Sequence, residues 1–125
     1  MKRQTVARIV LTTLLVSAGA IAGDAGDVVE IRVRDHYFSA PATVRILVAV
    51  EPNADNRTLR IEADSQDLFR SSEFALSGAD EKRLHTVEFQ SLPAGHYTLR
   101  AEVRSARGVR GMDAQDVTVT GSGLR

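Results

Sequence analysis

The chain reads as an all-β, two-sheet antiparallel sandwich of about seven strands. Three observations carry that expectation. Apolar residues recur at every second position in segment after segment, the period of a strand with one buried face. Clusters of turn-forming residues separate those segments every ~8–12 residues, the usual strand spacing of a sandwich. Beyond the N-terminal apolar run, no segment shows a convincing helical period.

The clearest element is Leu92–Val103. Pro93 pre-sets φ for a turn, and Gly95 is expected to take the positive φ that ends it. From there Tyr97, Leu99, Ala101 and Val103 fall on one face, and His96, Thr98, Arg100 and Glu102 on the other. This pattern marks a central strand with Tyr97 inward and His96 outward.

The other elements follow in chain order. Lys2, Arg3 and Arg8 precede an apolar run from Ile9 to Ala22, and Ala18, Ala20 and Ala22 supply the small residues of a signal-peptidase site. A signal peptide over residues 1–22 is expected, leaving residues 23–125 as one periplasmic or secreted domain. The run is shorter than the ~18 apolar residues that identify a spanning helix, so no membrane span is expected after cleavage. Residues 28–34 alternate as a first strand, interrupted from Asp35 to Pro41. Thr43–Val50 and Thr58–Ala63 read as a hairpin around the turn cluster Glu51–Asn56. Apolar Leu47 and Ala49 on its second face make Thr43–Val50 a central strand. Leu68–Leu76 has no clean period and is expected to form one or two short edge strands, its irregularity and charge discouraging pairing. Leu84–Leu92 alternates again, Ser105–Met112 reads as a loop, and Gln115–Thr120 as the last strand.

Composition removes several function classes. With no cysteine there is no disulfide framework, thiol nucleophile or zinc–thiolate site. The chain has 16 basic and 16 acidic residues, and losing Lys2, Arg3 and Arg8 would leave a small acidic surplus. That balance argues against a nucleic-acid partner and against attraction to anionic lipid.

The string Tyr97-Thr98-Leu99 resembles the tyrosine corner of immunoglobulin-like domains, in which a tyrosine at the start of a strand bonds back to the chain just upstream. Leu99 stands at the position of the second core cysteine, Ile46 or Val48 at the first, and Leu59 or Ile61 at the usual tryptophan. The resemblance implies a bacterial immunoglobulin-like or fibronectin type III-like sandwich, with Pro93, Gly95, Tyr97 and Leu99 in structural roles. The string Leu92-Pro93-Ala94-Gly95-His96-Tyr97 is also similar to the last hairpin of transthyretin-like carboxypeptidase regulatory domains, whose Gly-rich first half this chain lacks. Tyr37–Val44 looks like the opening hairpin of cupredoxins.

No residue pattern carries catalytic chemistry. His36, His85 and His96 are the available imidazoles, but a blue-copper site needs a cysteine thiolate and no metal-ligand spacing is present. They read as solvated or edge residues, with no cofactor and no metal. Asp64 with Asp67, and Asp113 with Asp116, sit in turns and solvated edges, and no nucleophile elbow or phosphate loop occurs. Asn56-Arg57-Thr58 is a short glycosylation sequon. The loop carrying Arg104, Arg107, Arg110 and Met112 is the candidate binding element, able to dock a carboxylate-bearing partner; a merely solvated loop is the alternative. Glu51, Asp55 and Arg57 would complete a mixed rim. The expectation is therefore a non-catalytic, immunoglobulin-like binding module with a protein or cell-envelope partner. The alternatives are a cupredoxin-like accessory metal-binding protein using histidines only and a transthyretin-like domain.

Overall fold

The computed structural model describes residues 28–121; the expected signal peptide lies outside them. Among the described residues eight strands form: β1 Val29–Arg32, β2 Tyr37–Ser39, β3 Ala42–Val50, β4 Thr58–Asp64, β5 Phe69–Ala75, β6 Leu84–Leu92, β7 Gly95–Ser105 and β8 Gly108–Thr120. They make two sheets. One has three strands in the order β1-β3-β6, the other five in the order β2-β8-β7-β4-β5. All neighbours are antiparallel except β2 and β8, which run parallel. Among the described residues no helix is long and apolar enough to cross a membrane.

Alternation dictates the core. Val44, Ile46 and Val48 of β3, Leu59, Ile61 and Ala63 of β4, and Tyr97, Leu99, Ala101 and Val103 of β7 all turn inward and are buried. Val87, Phe89 and Leu92 of β6 and Val117 and Val119 of β8 close the same cluster. Tyr97 is 1 % exposed, and its hydroxyl donates to the carbonyl of Pro93 at 2.7 Å. The bond back to the chain expected at this corner is present. Gly95 does not take a positive φ, however; the left-handed residue beside this turn is Ser91, with φ 58°.

Several expectations about connectivity are corrected. Thr43–Val50 and Thr58–Ala63 do not form a hairpin, because β3 and β4 lie in different sheets and Glu51–Arg57 crosses between them. The Pro93 turn also crosses between sheets, from β6 to β7, so it is not the hairpin of the transthyretin-like pattern. The Asp35–Pro41 interruption holds β2, which leaves the first sheet and pairs with β8. Leu68–Leu76 is not irregular: β5 pairs with β4 through seven residues without a register shift.

The last correction bears on the candidate site. Ser105–Met112 is not a loop. β7 and β8 approach to a tight turn at Ala106–Arg107, where Gly108 has φ +133°. A bulge between Val103 and Arg104 then resets the register of the long β8. The early part of β8 escapes a pattern reading because Asp113 occupies an inward position, opposite buried Ala101. Its carboxylate accepts the backbone amide of Ile31 at 2.8 Å, which ties β1 to β8.

Candidate functional site

The β3–β4 crossing, the polar segment before β6 and the β7–β8 turn meet at one end of the sandwich. The β3–β4 crossing is fixed by Asn56. This side chain is 1 % exposed, and its amide donates to the Glu51 carbonyl at 3.0 Å. Burial of that amide removes the sequon from any glycosylating enzyme in the folded domain. Gly78, with φ +64°, lies so close to Ala54 that a Cβ would stand 3.3 Å from the Ala54 carbonyl oxygen. Glu81 accepts the Ser77 amide at 2.7 Å, and that backbone bond, ahead of other causes, lowers its pKa.

Two of the candidate binding residues converge here. Arg110 is the extra residue of the bulge and donates through Nη1 to Asn56 Oδ1 at 2.5 Å. Arg57 donates through Nη1 to the Ala54 carbonyl at 2.7 Å and to that of Asn56 at 3.2 Å. Arg107 stands exposed on the turn, its backbone amide bonded to Ser105 Oγ at 3.0 Å. With Asp55, Ser105 and Ala106, these three arginines line a pocket of about 210 Å³. The other two candidates are elsewhere. Arg104 lies on the outer face of the five-stranded sheet, 3.5 Å from Glu102, and Met112, 44 % exposed, pairs opposite Glu102. Alternation through β7 could have separated Arg104 from the site. Nothing in the sequence marked Asn56 as the buried residue that aims Arg110.

A larger groove, about 640 Å³, lies on the outer face of the three-stranded sheet, with Arg32, Arg34 and Arg45 among its walls. Two of those cations are already matched. Arg32 lies 3.2 Å from Glu30, and Arg45 donates through Nε and Nη2 to Glu88 Oε2 at 2.9 and 2.6 Å. The Arg45 hydrogen bond is also the main reason the Glu88 carboxyl sits below the usual carboxylate range.

The three histidines do not gather into one group among the described residues. His36 Nδ1 meets the Asp116 carbonyl at 3.0 Å and His96 Nδ1 meets Thr118 Oγ1 at 3.1 Å, from opposite sides of β8. His85, expected to be solvated or at an edge, is instead 8 % exposed on the inner face of β6, and its Nε2 has no partner among the described residues. Asp113 and Asp116 face opposite sides of β8, so they form no carboxylate pair. Among the described residues no group of three His, Cys, Asp or Glu side chains is placed to hold a metal ion.

Comparison with solved structures follows from this architecture. The chain is similar to superoxide reductase (neelaredoxin) from Ignicoccus hospitalis, at 13 % identity over 74 % of this chain and 80 % of that one, with a TM-score of 0.59. It is also similar to a CARDB domain from Pyrococcus furiosus in complex with di-metal ions, at 17 % identity over 74 % and 91 % of the two chains, TM-score 0.53. The human F-spondin reeler domain matches at 12 % identity over 74 % and 89 %, TM-score 0.53. The likeness is one of fold. No family model and no curated protein sequence matches the chain.

This comparison overturns the expectation of a non-catalytic binding module. That expectation treated a small sandwich as a passive scaffold, whereas the structures sharing this fold include superoxide reductases, redox enzymes by their name. A fold hosts unrelated activities, so architecture alone does not decide for or against catalysis. Geometry bears on both alternatives. Among the described residues no group of three or more His, Cys, Asp or Glu side chains gathers for a histidine-only metal site, and the transthyretin-like hairpin is a crossing between sheets.

Proposed function

We propose that the hairpin end of the sandwich is a recognition site for an oxyanion, a carboxylate or phosphate group carried by a ligand. The observation that carries this reading is the pocket in which Arg57, Arg107 and Arg110 meet with Asp55 as the one acidic lining residue. A guanidinium has five N–H donors in a planar fork. Arg57 and Arg110 each use Nη1 on a backbone or Asn56 oxygen, which orients the fork and leaves other donors for the ligand. Arg107, on a two-residue turn, supplies a third cation able to close over a bound anion. Charge-assisted, bidentate contacts of this kind favour planar carboxylates and phosphates.

The same reading places the domain outside the cytoplasm, with residues 1–22 as its export signal and residues 23–125 as the mature chain. Its finer fold is immunoglobulin-like. The sheet orders β1-β3-β6 and β2-β8-β7-β4-β5, and the Tyr97–Pro93 bond at the start of β7, support that assignment. The activity named for the superoxide reductases is not carried over, because the likeness at 13 % identity is one of fold alone.

Titration with inorganic phosphate and with citrate, followed by amide NMR against a sodium chloride control, tests the site. Shifts should concentrate at Arg57, Ser105, Arg107 and Arg110, and Arg107→Ala should weaken binding by about tenfold, the worth of ~1.4 kcal/mol. Shifts that match the chloride control, or that survive an Arg57→Ala/Arg107→Ala double substitution, would remove the pocket from consideration.

A further inference from the structure

Among the described residues the outer edge of β5 has no neighbouring strand and is self-complementary, and we propose that it is the dimerisation surface of this protein, a second copy pairing antiparallel about Ser72. β5 ends the five-stranded sheet. Bonds at both of its ends set the phase of its backbone. Leu76 donates its amide to the Arg57 carbonyl, and Ser65 donates to the Leu68 carbonyl, both at 2.8 Å, so even-numbered residues turn their polar groups toward β4. Phe69, Ser71, Glu73 and Ala75 therefore aim N–H and C=O groups out of the sheet. An open edge of this kind templates pairing with another strand.

Proteins blunt such edges with short strands, bulges, proline or exposed charge, and β5 uses none of the first three. It is seven residues long, holds no proline and keeps continuous register with β4. Its two charges are engaged within the protomer. Arg70 donates through Nη1 to the Gln90 carbonyl, and Glu73 lies 3.7 Å from Arg60. Phe69 is 56 % exposed, and Phe74 is also solvent-exposed.

Symmetry selects the register. A twofold axis perpendicular to the sheet pairs residues on the same face, so the axis must pass through a residue. Through Ser72, Phe69 meets Ala75 of the second copy, Ser71 meets Glu73, and Arg70 meets Phe74. All four outward-aimed residues then enter hydrogen-bonded pairs, each pair exchanging two bonds. The two Ser72 residues form the central non-hydrogen-bonded pair, and each exposed Phe gains an alanine or an arginine stem to pack on. An axis through Ser71 would leave Ala75 unpaired and set Phe69 against Glu73, and one through Glu73 would oppose two glutamates.

The test uses the full mature chain. Light scattering coupled to size exclusion should give twice the monomer mass at high micromolar concentration. Ser71→Pro deletes only an outward amide and should yield a folded monomer. Because the chain has no cysteine, Ser72→Cys supplies one thiol per copy. Non-hydrogen-bonded partners have Cα atoms ~4.5 Å apart, within disulfide reach, so mild oxidation should cross-link Ser72→Cys far faster than Ser71→Cys. Monomer mass at all concentrations, a dimer that persists in Ser71→Pro, or faster cross-linking through Ser71→Cys would overturn the proposal.

Discussion

Two crossings between the sheets, at opposite ends of the sandwich, are built alike and differ in what they leave available. In each, a buried side chain donates to a carbonyl a few residues upstream: Tyr97 to Pro93 at one end, Asn56 to Glu51 at the other. The Tyr97 ring is a core residue, and its one polar atom is satisfied by its own turn. Asn56 has a second polar atom, and Oδ1 accepts from Arg110. One crossing is a closed fixture. The other links the fold to a cluster of cations, so the fastening of the chain and the aiming of the pocket share a residue.

That contrast can be broken in a graded way. Leu99→Ala, two residues along the strand from Tyr97, should have the largest effect, ~2–5 kcal/mol in chemical denaturation, as a fully buried large-to-small change. Asn56→Ala should cost ~1–3 kcal/mol, because it strands the Glu51 carbonyl and the Arg110 guanidinium together, and it should also weaken anion binding. Tyr97→Phe should cost ~1 kcal/mol, the net worth of one hydrogen bond, and leave anion binding unchanged. A larger loss for Tyr97→Phe than for Asn56→Ala in urea titrations would reverse the comparison.

The smallest expected effect is that of pH. Glu81, beside the Asn56 crossing, and Glu88, on the three-stranded face, both have folded pKa values below the ordinary carboxylate range. A depressed carboxylate stabilises the fold above its unfolded value and loses that contribution as pH falls through the folded one. The urea midpoint should therefore drop modestly between pH 5 and pH 3. Glu81→Gln and Glu88→Gln together should flatten that drop. An unchanged slope would show that neither carboxylate contributes.

What the sequence made legible follows from the same physics. Alternation reports which face of a strand is buried, and it located Tyr97, Leu99 and the inner faces of β3, β4 and β6. It does not report which sheet a strand joins, so the Glu51–Arg57 crossing looked like a hairpin turn. It fails wherever a polar residue is satisfied inside. Asp113 hid the first half of β8 by accepting the Ile31 amide, and His85 looked like an edge residue while lying in the core. The candidate arginines show the same limit. Arg107 and Arg110 do meet, but only the bulge and buried Asn56 send Arg110 into the pocket while Arg104 stays on the opposite face.

The parallel pairing of β2 with β8 has a mechanical consequence. Tyr37–Ser39 lies beside Thr118–Thr120, the Thr118 amide bonds the His36 carbonyl and the Ala40 amide bonds the Thr120 carbonyl. Tension applied across residues 28 and 121, once β1 has parted from β3, would draw these two strands lengthwise past each other. Their bonds would then bear the load together and fail as a set, whereas an antiparallel terminal pair would peel open one bond at a time. The short β2 thus acts as a shear clamp between the two ends of the described residues.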